Sequence, residues 1–209
     1  MRYRSVLTLL FGLCTAPALW AAPAQKTFSD WQVTCNNQNF CVARNTGEHA
    51  GLVMSLERSA GARADAALRI DLGGIGIPAG KAPPIAGRLL LDGQPLKMVN
   101  TEWKIAPWHL MTSNPQTVAA LLETIQEGQT ITLQSGQGRI SLAGLKAALL
   151  FIDAQQKRVG SKTAWIKKGV SPPLSVPPAP ALKEVVHPTA APAPLTHQQL
   201  NDLLDYGNW

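Results

Sequence analysis

Apolar and polar residues alternate along the first half of the chain. The alternation recurs in five short segments, at 31–35, 52–56, 68–72, 89–91 and 96–98. A period of two over such short segments predicts antiparallel strands that bury one face of a sheet. Asp92-Gly93, between the last two segments, is typical of a tight hairpin turn. We therefore expect a mainly antiparallel, sandwich-like sheet, interrupted by a long glycine- and proline-rich loop over 73–87.

A helical period replaces the alternation after residue 113. Asn114-Pro115 combines a capping side chain with a proline suited to the first helical position. Apolar residues then recur with a spacing of three or four up to Ile125, and Gly128 is expected to end this helix. A second amphipathic helix is predicted to carry Leu145, Ala148, Leu149 and Ile152 on one face.

Strands are predicted to flank these two helices. Short apolar segments at 130–133, 139–142 and 164–166 indicate three further strands, the last of them near the end of the domain. Many strands followed by two helices in the later part predict the α+β class with an antiparallel sheet.

The N-terminus has the residue order of a secretory signal peptide. Two arginines precede an apolar run over 5–20, and small residues follow it. The run is too short for a comfortable membrane span, which takes about 20 residues. We predict a signal peptide over 1–21, cut after Ala21 or Ala24, and a periplasmic mature chain without a transmembrane segment. The alternative is a retained anchor helix.

Composition divides the remaining chain into three parts. We expect 26–170 to form a single globular domain, because about 145 residues are enough for one ordinary core. Residues 171–195 contain eight prolines in 25 positions, which predicts an extended proline-rich linker. A short tail helix is predicted over 196–209, where Thr196 and Gln199 can form a capping box.

The chain has three cysteines, and the compartment decides how two of them are interpreted. We assign Cys14 to the discarded leader, which leaves Cys35 and Cys41. An even number of cysteines in an oxidising compartment predicts a structural disulfide. A redox pair or a metal site are the alternatives, although the spacing is not C-x-x-C and no His or Cys cluster supplies further ligands. We predict no metal and no cofactor.

The charge of the chain is mildly positive. The formal net charge is +6, and it becomes +4 once the two leader arginines are removed. A nucleic-acid binder usually has a dense basic face with aromatic residues among the charges. After the leader, basic residues are adjacent only at Lys157-Arg158 and Lys167-Lys168. We expect a soluble basic surface and no nucleic-acid partner, with some attraction to an anionic envelope surface as the alternative.

Candidate catalytic groups do not form a motif in the sequence. An enzyme would need Asp30, Asp153, His109 or Ser141 to meet within hydrogen-bond reach in a pocket. His109 is expected to be a partly buried strand residue, and Ser141 to help start the second helix. Among the tryptophans, Trp103 and Trp108 are our first choice for an exposed binding surface, because they flank polar and proline positions.

Three stretches together resemble a known family. They are "FSDWQVTCNNQNFCVA", "RISLAGLKAALLFIDAQQKRVGSKTAWIKKG" and "SPPLSVPPAP". The chain resembles an exported family that is catalogued as a domain of unknown function (number 1176), over about residues 28–182. The invasion-associated locus B family is similar and is expected to be a relative. Family members often continue into a second, cysteine-containing half, so this chain looks like the N-terminal half only.

The resemblance implies a periplasmic protein with a Cys35–Cys41 bridge and no assigned activity. Asp153, Gln155 and Arg158 match the polar motif of the family. They are expected either to tie a helix end to a loop by hydrogen bonds or to bind a ligand.

The function that we expect is a non-enzymatic binding module of the cell envelope. Its partner would be an envelope protein or a cell-wall component that the sequence does not identify. A periplasmic hydrolase or enzyme inhibitor is the alternative, and a truncated product without a role of its own is the third interpretation.

Overall fold

A computed structural model describes residues 23–47, 51–72, 85–98, 102–106, 108–136 and 138–182. Two antiparallel sheets and two helices make up the fold, so the predicted α+β class is confirmed. In chain order the strands are β1 (Ala24–Phe28), β2 (Trp31–Cys35), β3 (Cys41–Asn45), β4 (Leu52–Arg58), β5 (Ala66–Leu72), β6 (Leu89–Leu91), β7 (Gln94–Pro95), β8 (Lys104–Ile105), β9 (His109–Thr112), β10 (Thr130–Leu133) and β11 (Arg139–Ser141).

The larger sheet has seven strands in the order β1-β2-β3-β4-β5-β9-β8, and the smaller has four in the order β11-β10-β6-β7. Every strand pair in both sheets is antiparallel. The inward-facing positions of the larger sheet are those that the alternation predicts, and Trp31, Val33, Leu56 and Leu68 are fully buried there. A single apolar cluster joins the two sheets and both helices.

The first helix, α1 (Pro115–Ile125), begins as the sequence predicts. The side-chain oxygen of Asn114 accepts hydrogen bonds from the backbone N–H groups of Gln116 and Thr117, at 2.9 and 3.0 Å. These bonds satisfy two donors that have no partner inside a helix. The buried face of α1 lies against β5.

The second helix, α2 (Leu145–Gln155), lies across β1, β2 and β3. Gly144 precedes it with a φ of 88°, and a Cβ atom there would lie 1.9 Å from the carbonyl oxygen of Phe28. Only glycine fits this close approach. The Ser141 hydroxyl accepts a hydrogen bond from the Ala143 N–H, so Ser141 supports the turn before the helix.

The predicted hairpin at Asp92-Gly93 is confirmed, since β6 pairs with β7 across it. The Asp92 carboxylate also accepts hydrogen bonds from the backbone N–H groups of Gln129 and Thr130. This contact attaches the hairpin to the start of β10. The second strand is shorter than the sequence predicts, because β7 ends at Pro95.

The prediction of a strand at 164–166 is wrong. These residues form no ladder, and the backbone N–H groups of Trp165 and Ile166 donate to the carboxylate of Asp153 instead. A buried carboxylate therefore satisfies the donors that a neighbouring strand would otherwise satisfy. Ala164 and Trp165 are buried, which explains why the segment has an apolar sequence.

Ordered packing extends beyond residue 170, the predicted domain boundary. The Ser171 N–H donates to the Gly160 carbonyl, and the buried side chain of Val176 lies within the predicted proline-rich linker. Pro178 approaches Gly61. The predicted signal peptide and tail helix, the linker after residue 182 and residues 73–84 of the predicted loop lie outside the described residues.

Candidate functional site

The hairpin formed by β8 and β9 exposes large apolar side chains at its tip. Trp108, just before β9, is 55% exposed, and Ile105 on β8 is 51% exposed. The Trp108 ring meets the His109 ring edge to face, with the centroids 6.1 Å apart. His109 itself is a half-buried strand residue, as predicted.

Trp103 lies at the base of the same hairpin and is half buried. It lines an open cleft of about 550 Å³ together with Glu102, Lys104 and Thr112, and the cleft extends to the start of α1. Its indole N–H is buried and has no hydrogen-bond partner among the described residues. Trp103 directly precedes β8 and Trp108 lies directly before β9.

Asp153 occupies a buried pocket of hydrogen-bond donors at the end of α2. Its carboxylate accepts bonds from Arg58 Nη2 at 2.6 Å, from the Trp165 N–H at 2.9 Å and from the Ile166 N–H at 3.0 Å. The side chains of both Asp153 and Arg58 are fully buried. A buried ion pair is tolerated when hydrogen bonds satisfy its remaining atoms, and this pair meets that condition.

Hydrogen bonds and a contact with an aromatic ring fix the position of the Arg58 side chain. Its Nε donates to Gln156 Oε1 at 2.7 Å, and its guanidinium carbon lies 3.6 Å from the centre of the Trp165 ring. Burial lowers the pKa of Arg58 to about 10, while the nearby Asp153 carboxylate acts in the opposite direction.

Gln156 connects the cluster to the disulfide hairpin. Its Oε1 accepts bonds from Arg58 and from Arg158 Nε, and its Nε2 donates to the carbonyls of Asn39 and Arg58 at 2.8 and 2.9 Å. All four hydrogen-bonding positions of this amide are therefore in use. Arg158 donates in turn to Thr163 Oγ1 and to the carbonyls of Ser59 and Gly61. Burial lowers the pKa of Arg158.

The structure places Asp153 and Arg158 where they tie a helix end to loops. Both are fully buried, so neither contributes to a surface. Gln155, the third residue of the predicted motif, is half buried and makes none of the bonds described for the cluster. Its neighbour Gln156 takes that position instead, and sequence reasoning missed it. A binding role for the exposed Trp108 and for Trp103 and Gln155 stays a prediction.

Arg58 was also missed, although the sequence carries a signal for it. It follows Leu52, Met54 and Leu56 at the next inward-facing position of the alternation. An arginine at such a position needs an internal counter-charge. We call Arg58, Asp153, Gln156 and Arg158 the buried cluster. It holds two guanidinium groups and one carboxylate, and its members bind one another rather than facing a pocket.

Cys35 and Cys41 form the predicted disulfide, with an S–S distance of 2.09 Å. Both residues are buried, and the bond closes the hairpin between β2 and β3. In the turn, the Asn36 side chain accepts bonds from the Gln38 and Phe40 N–H groups. The disulfide therefore holds a short hairpin whose tip is bonded to Gln156.

Two of the four candidate catalytic residues are neighbours, because Asn45 Nδ2 donates to the backbone carbonyls of both Asp30 and Ser141, at 3.1 and 3.0 Å. The Asp153 carboxylate is bonded within the buried cluster instead. Ser141 precedes α2, and Asp153 lies near the C-terminal end of that helix, about 12 Å along its axis from Leu145 at 1.5 Å per residue. His109 is opposite Asp71 in the larger sheet. Within the described ranges, no group of three or more His, Cys, Asp or Glu side chains could hold a metal ion. In that same part of the chain, no helix has the length and apolarity needed to cross a membrane.

Comparison with known proteins identifies the family. A family model described as "Protein of unknown function (DUF1176)" matches residues 25–209. The chain belongs to this family. The DUF1176 match includes the three stretches that carried the resemblance and continues beyond residue 182, so the predicted family is confirmed.

One relative is "Uncharacterized protein YpfG" of Escherichia coli (strain K12). It is 64% identical over all 209 residues of this chain. The match covers 60% of the relative, so the chain spans less than two thirds of that protein's length. No solved structure matches the chain.

Proposed function

We propose that this chain is a non-enzymatic binding module of the cell envelope, exported to the periplasm through its N-terminal segment. The order of a basic head, an apolar run and small residues supports export. The Cys35–Cys41 bond supports it as well, because disulfides persist in oxidising compartments. A relation to the invasion-associated locus B family, and equivalence to the N-terminal half of longer family members, belong to the same proposal.

The proposal of binding rests on the exposed tip of the β8–β9 hairpin. Trp108 and Ile105 each expose about half of their surface, next to a hairpin base that opens into a cleft. Tryptophan is enriched at the energetic centres of protein interfaces, because it covers a large area at a small entropic cost. We infer that this tip contacts an envelope protein or a cell-wall component.

Site-specific crosslinking in intact cells tests this proposal. A photoreactive amino acid replaces Trp108, and in a matched control it replaces Lys146 on α2, whose side chain is 54% exposed. We expect a discrete adduct from position 108 and none from position 146. Identical adducts from both positions, or none from position 108, would contradict the proposed surface.

The tail provides a second test of the binding proposal. Leu200, Leu203 and Leu204 form an apolar stripe in the sequence of the predicted tail helix. If this stripe docks on a partner, a chain that lacks 183–209 should recover less of the partner identified through position 108. Equal recovery would restrict binding to the hairpin.

A further inference from the structure

The segment after α2 concentrates the positive charge of the chain. Residues 157–182, which we call the C-terminal strap, contain five Lys and Arg and no acidic residue. The rest of the chain after residue 21 contains 12 basic and 13 acidic residues. The positive excess that remains after loss of the leader therefore lies in the strap.

The strap also carries most of the exposed large apolar side chains. Six such side chains are exposed in the described part of the protein, and Val159, Val170, Leu174 and Leu182 of the strap are four of them. Val170 and Leu174 are 89% and 87% exposed, so they protrude from the surface. Exposed apolar side chains scattered singly over a surface are normal, whereas here four of the six lie within one segment of 26 residues.

Backbone hydrogen bonds hold these side chains in place. The Gly160 N–H donates to the Lys167 carbonyl at 2.9 Å, and the Lys162 N–H donates to the Ser171 carbonyl at 2.9 Å. A Cβ atom on Gly169 would lie 2.2 Å from the Gly160 carbonyl oxygen, so the two backbone segments touch. Leu174 lies in a 3₁₀ turn, and the buried Val176 anchors the chain after it. Val159, Val170 and Leu174 therefore lie in a segment whose backbone is fixed by hydrogen bonds.

Three exposed lysines accompany the apolar residues. Lys157, Lys162 and Lys167 are exposed, and no carboxylate among the described residues forms a salt bridge with them. The two other basic residues of the strap are engaged: Lys168 pairs with Glu123, and Arg158 lies in the buried cluster. The strap thus combines protruding aliphatic groups with ammonium groups that have no salt-bridge partner among the described residues.

We propose that the C-terminal strap binds the surface of an anionic phospholipid bilayer. Val170 and Leu174 would enter the boundary between head groups and acyl chains, and the lysines would meet lipid phosphates. A protein partner requires a surface of complementary shape, whereas a bilayer accepts protruding aliphatic side chains without one. The strap fits the bilayer better, because its apolar residues project outward. This surface is distinct from the β8–β9 hairpin, so its failure would leave the proposed partner binding untouched.

Co-sedimentation with vesicles tests the lipid surface. Residues 22–209 are used, because the apolar run of the leader would itself enter a bilayer, and the described contacts all lie beyond it. Vesicles of phosphatidylglycerol and phosphatidylethanolamine are compared with vesicles of phosphatidylcholine alone. We expect binding to the anionic vesicles and its loss at high salt, because salt screens the charge.

Paired variants separate the two contributions. We expect Leu174→Ser to weaken vesicle binding about tenfold, while Leu174→Met retains it, since both leucine and methionine can enter the acyl boundary. Lys167→Glu should weaken binding at least about tenfold, and Lys146→Glu, the same charge reversal on α2, should change it little. Circular dichroism checks that each variant is folded. Absence of binding to anionic vesicles, or binding that neither strap variant reduces, would overturn the proposal.

Discussion

At the scale of single residues, the buried cluster is where we expect single substitutions to change the stability of the domain. Asp153 is the single carboxylate in it, and it binds one guanidinium and two backbone N–H groups. Replacing one partner of a buried ion pair leaves the other charge without compensation. The cluster therefore predicts large effects from side chains that never reach the surface.

Asp153→Ala should lower the free energy of unfolding by about 3–5 kcal/mol, because Arg58 then stays buried without its counter-charge. Urea denaturation measures this loss. Lys146→Ala is the control, since it removes a pair between exposed side chains that contributes about 0–1 kcal/mol. A cost for Asp153→Ala as small as that of the control would show that the cluster does not support the fold.

The two adjacent glutamines should behave differently. Gln156→Ala removes one buried hydrogen-bond partner each from Asn39, Arg58 and Arg158, and we expect a loss of roughly 2–4 kcal/mol. Gln155→Ala, one residue earlier and half exposed, should change the free energy of unfolding by less than about 0.5 kcal/mol. Thermal unfolding of the two variants side by side distinguishes them. Equal losses of stability in the two variants would contradict the assignment of the buried hydrogen bonds to Gln156 rather than to Gln155.

Residue-level prediction from the sequence succeeded where the cause was local. The Asn114 cap and the Asp92-Gly93 turn depend on residues a few positions apart, and both are found in the structure. Gln156 and Arg58 are 98 residues apart, and only the folded chain brings them together. Periodicity indicates which face of an element is buried, but it does not specify which polar residues meet inside.

At the scale of elements, contacts between neighbouring elements decide where strands and turns end. The segment 164–166 has an apolar sequence, but it wraps around the Asp153 carboxylate instead of joining a sheet. The β6–β7 hairpin shows the opposite case, in which a side chain fastens one predicted element to another. Asp92 accepts backbone hydrogen bonds from the first residue of β10 and from the residue before it.

The Asp92 contact should make stability depend on pH in the acid range. Hydrogen bonds from the Thr130 N–H and then the Gln129 N–H lower the pKa of Asp92. The contribution is therefore fully present above the ordinary aspartate pKa of about 4, and it is lost as the pH falls through the lower folded pKa. Asp92→Asn should be less stable than the wild type near neutral pH and should approach it in acid. Urea denaturation across this pH range measures the difference, and a constant gap would contradict the assignment.

At the scale of the whole molecule, the fold class was accessible from the sequence because period-two and helical segments are separate along the chain. The C-terminal limit of the packed domain was not accessible from the sequence, since prolines after residue 170 indicate an extended linker. Val176 is nevertheless buried, because a proline-rich segment can lie along a surface that the rest of the domain supplies. The candidate binding surfaces could not be predicted from the sequence for a similar reason, because the exposure of a side chain depends on how the whole chain folds.

The proposed export connects the disulfide, the proposed partner binding and the proposed lipid contact in one compartment. The intact mass of the chain recovered from a periplasmic extract tests it most directly. We expect a chain that begins at residue 22 or 25 and is two hydrogen atoms lighter than its dithiol form, because Cys35 and Cys41 are bonded. A full-length chain with free thiols, recovered from the cytoplasm, would contradict the account.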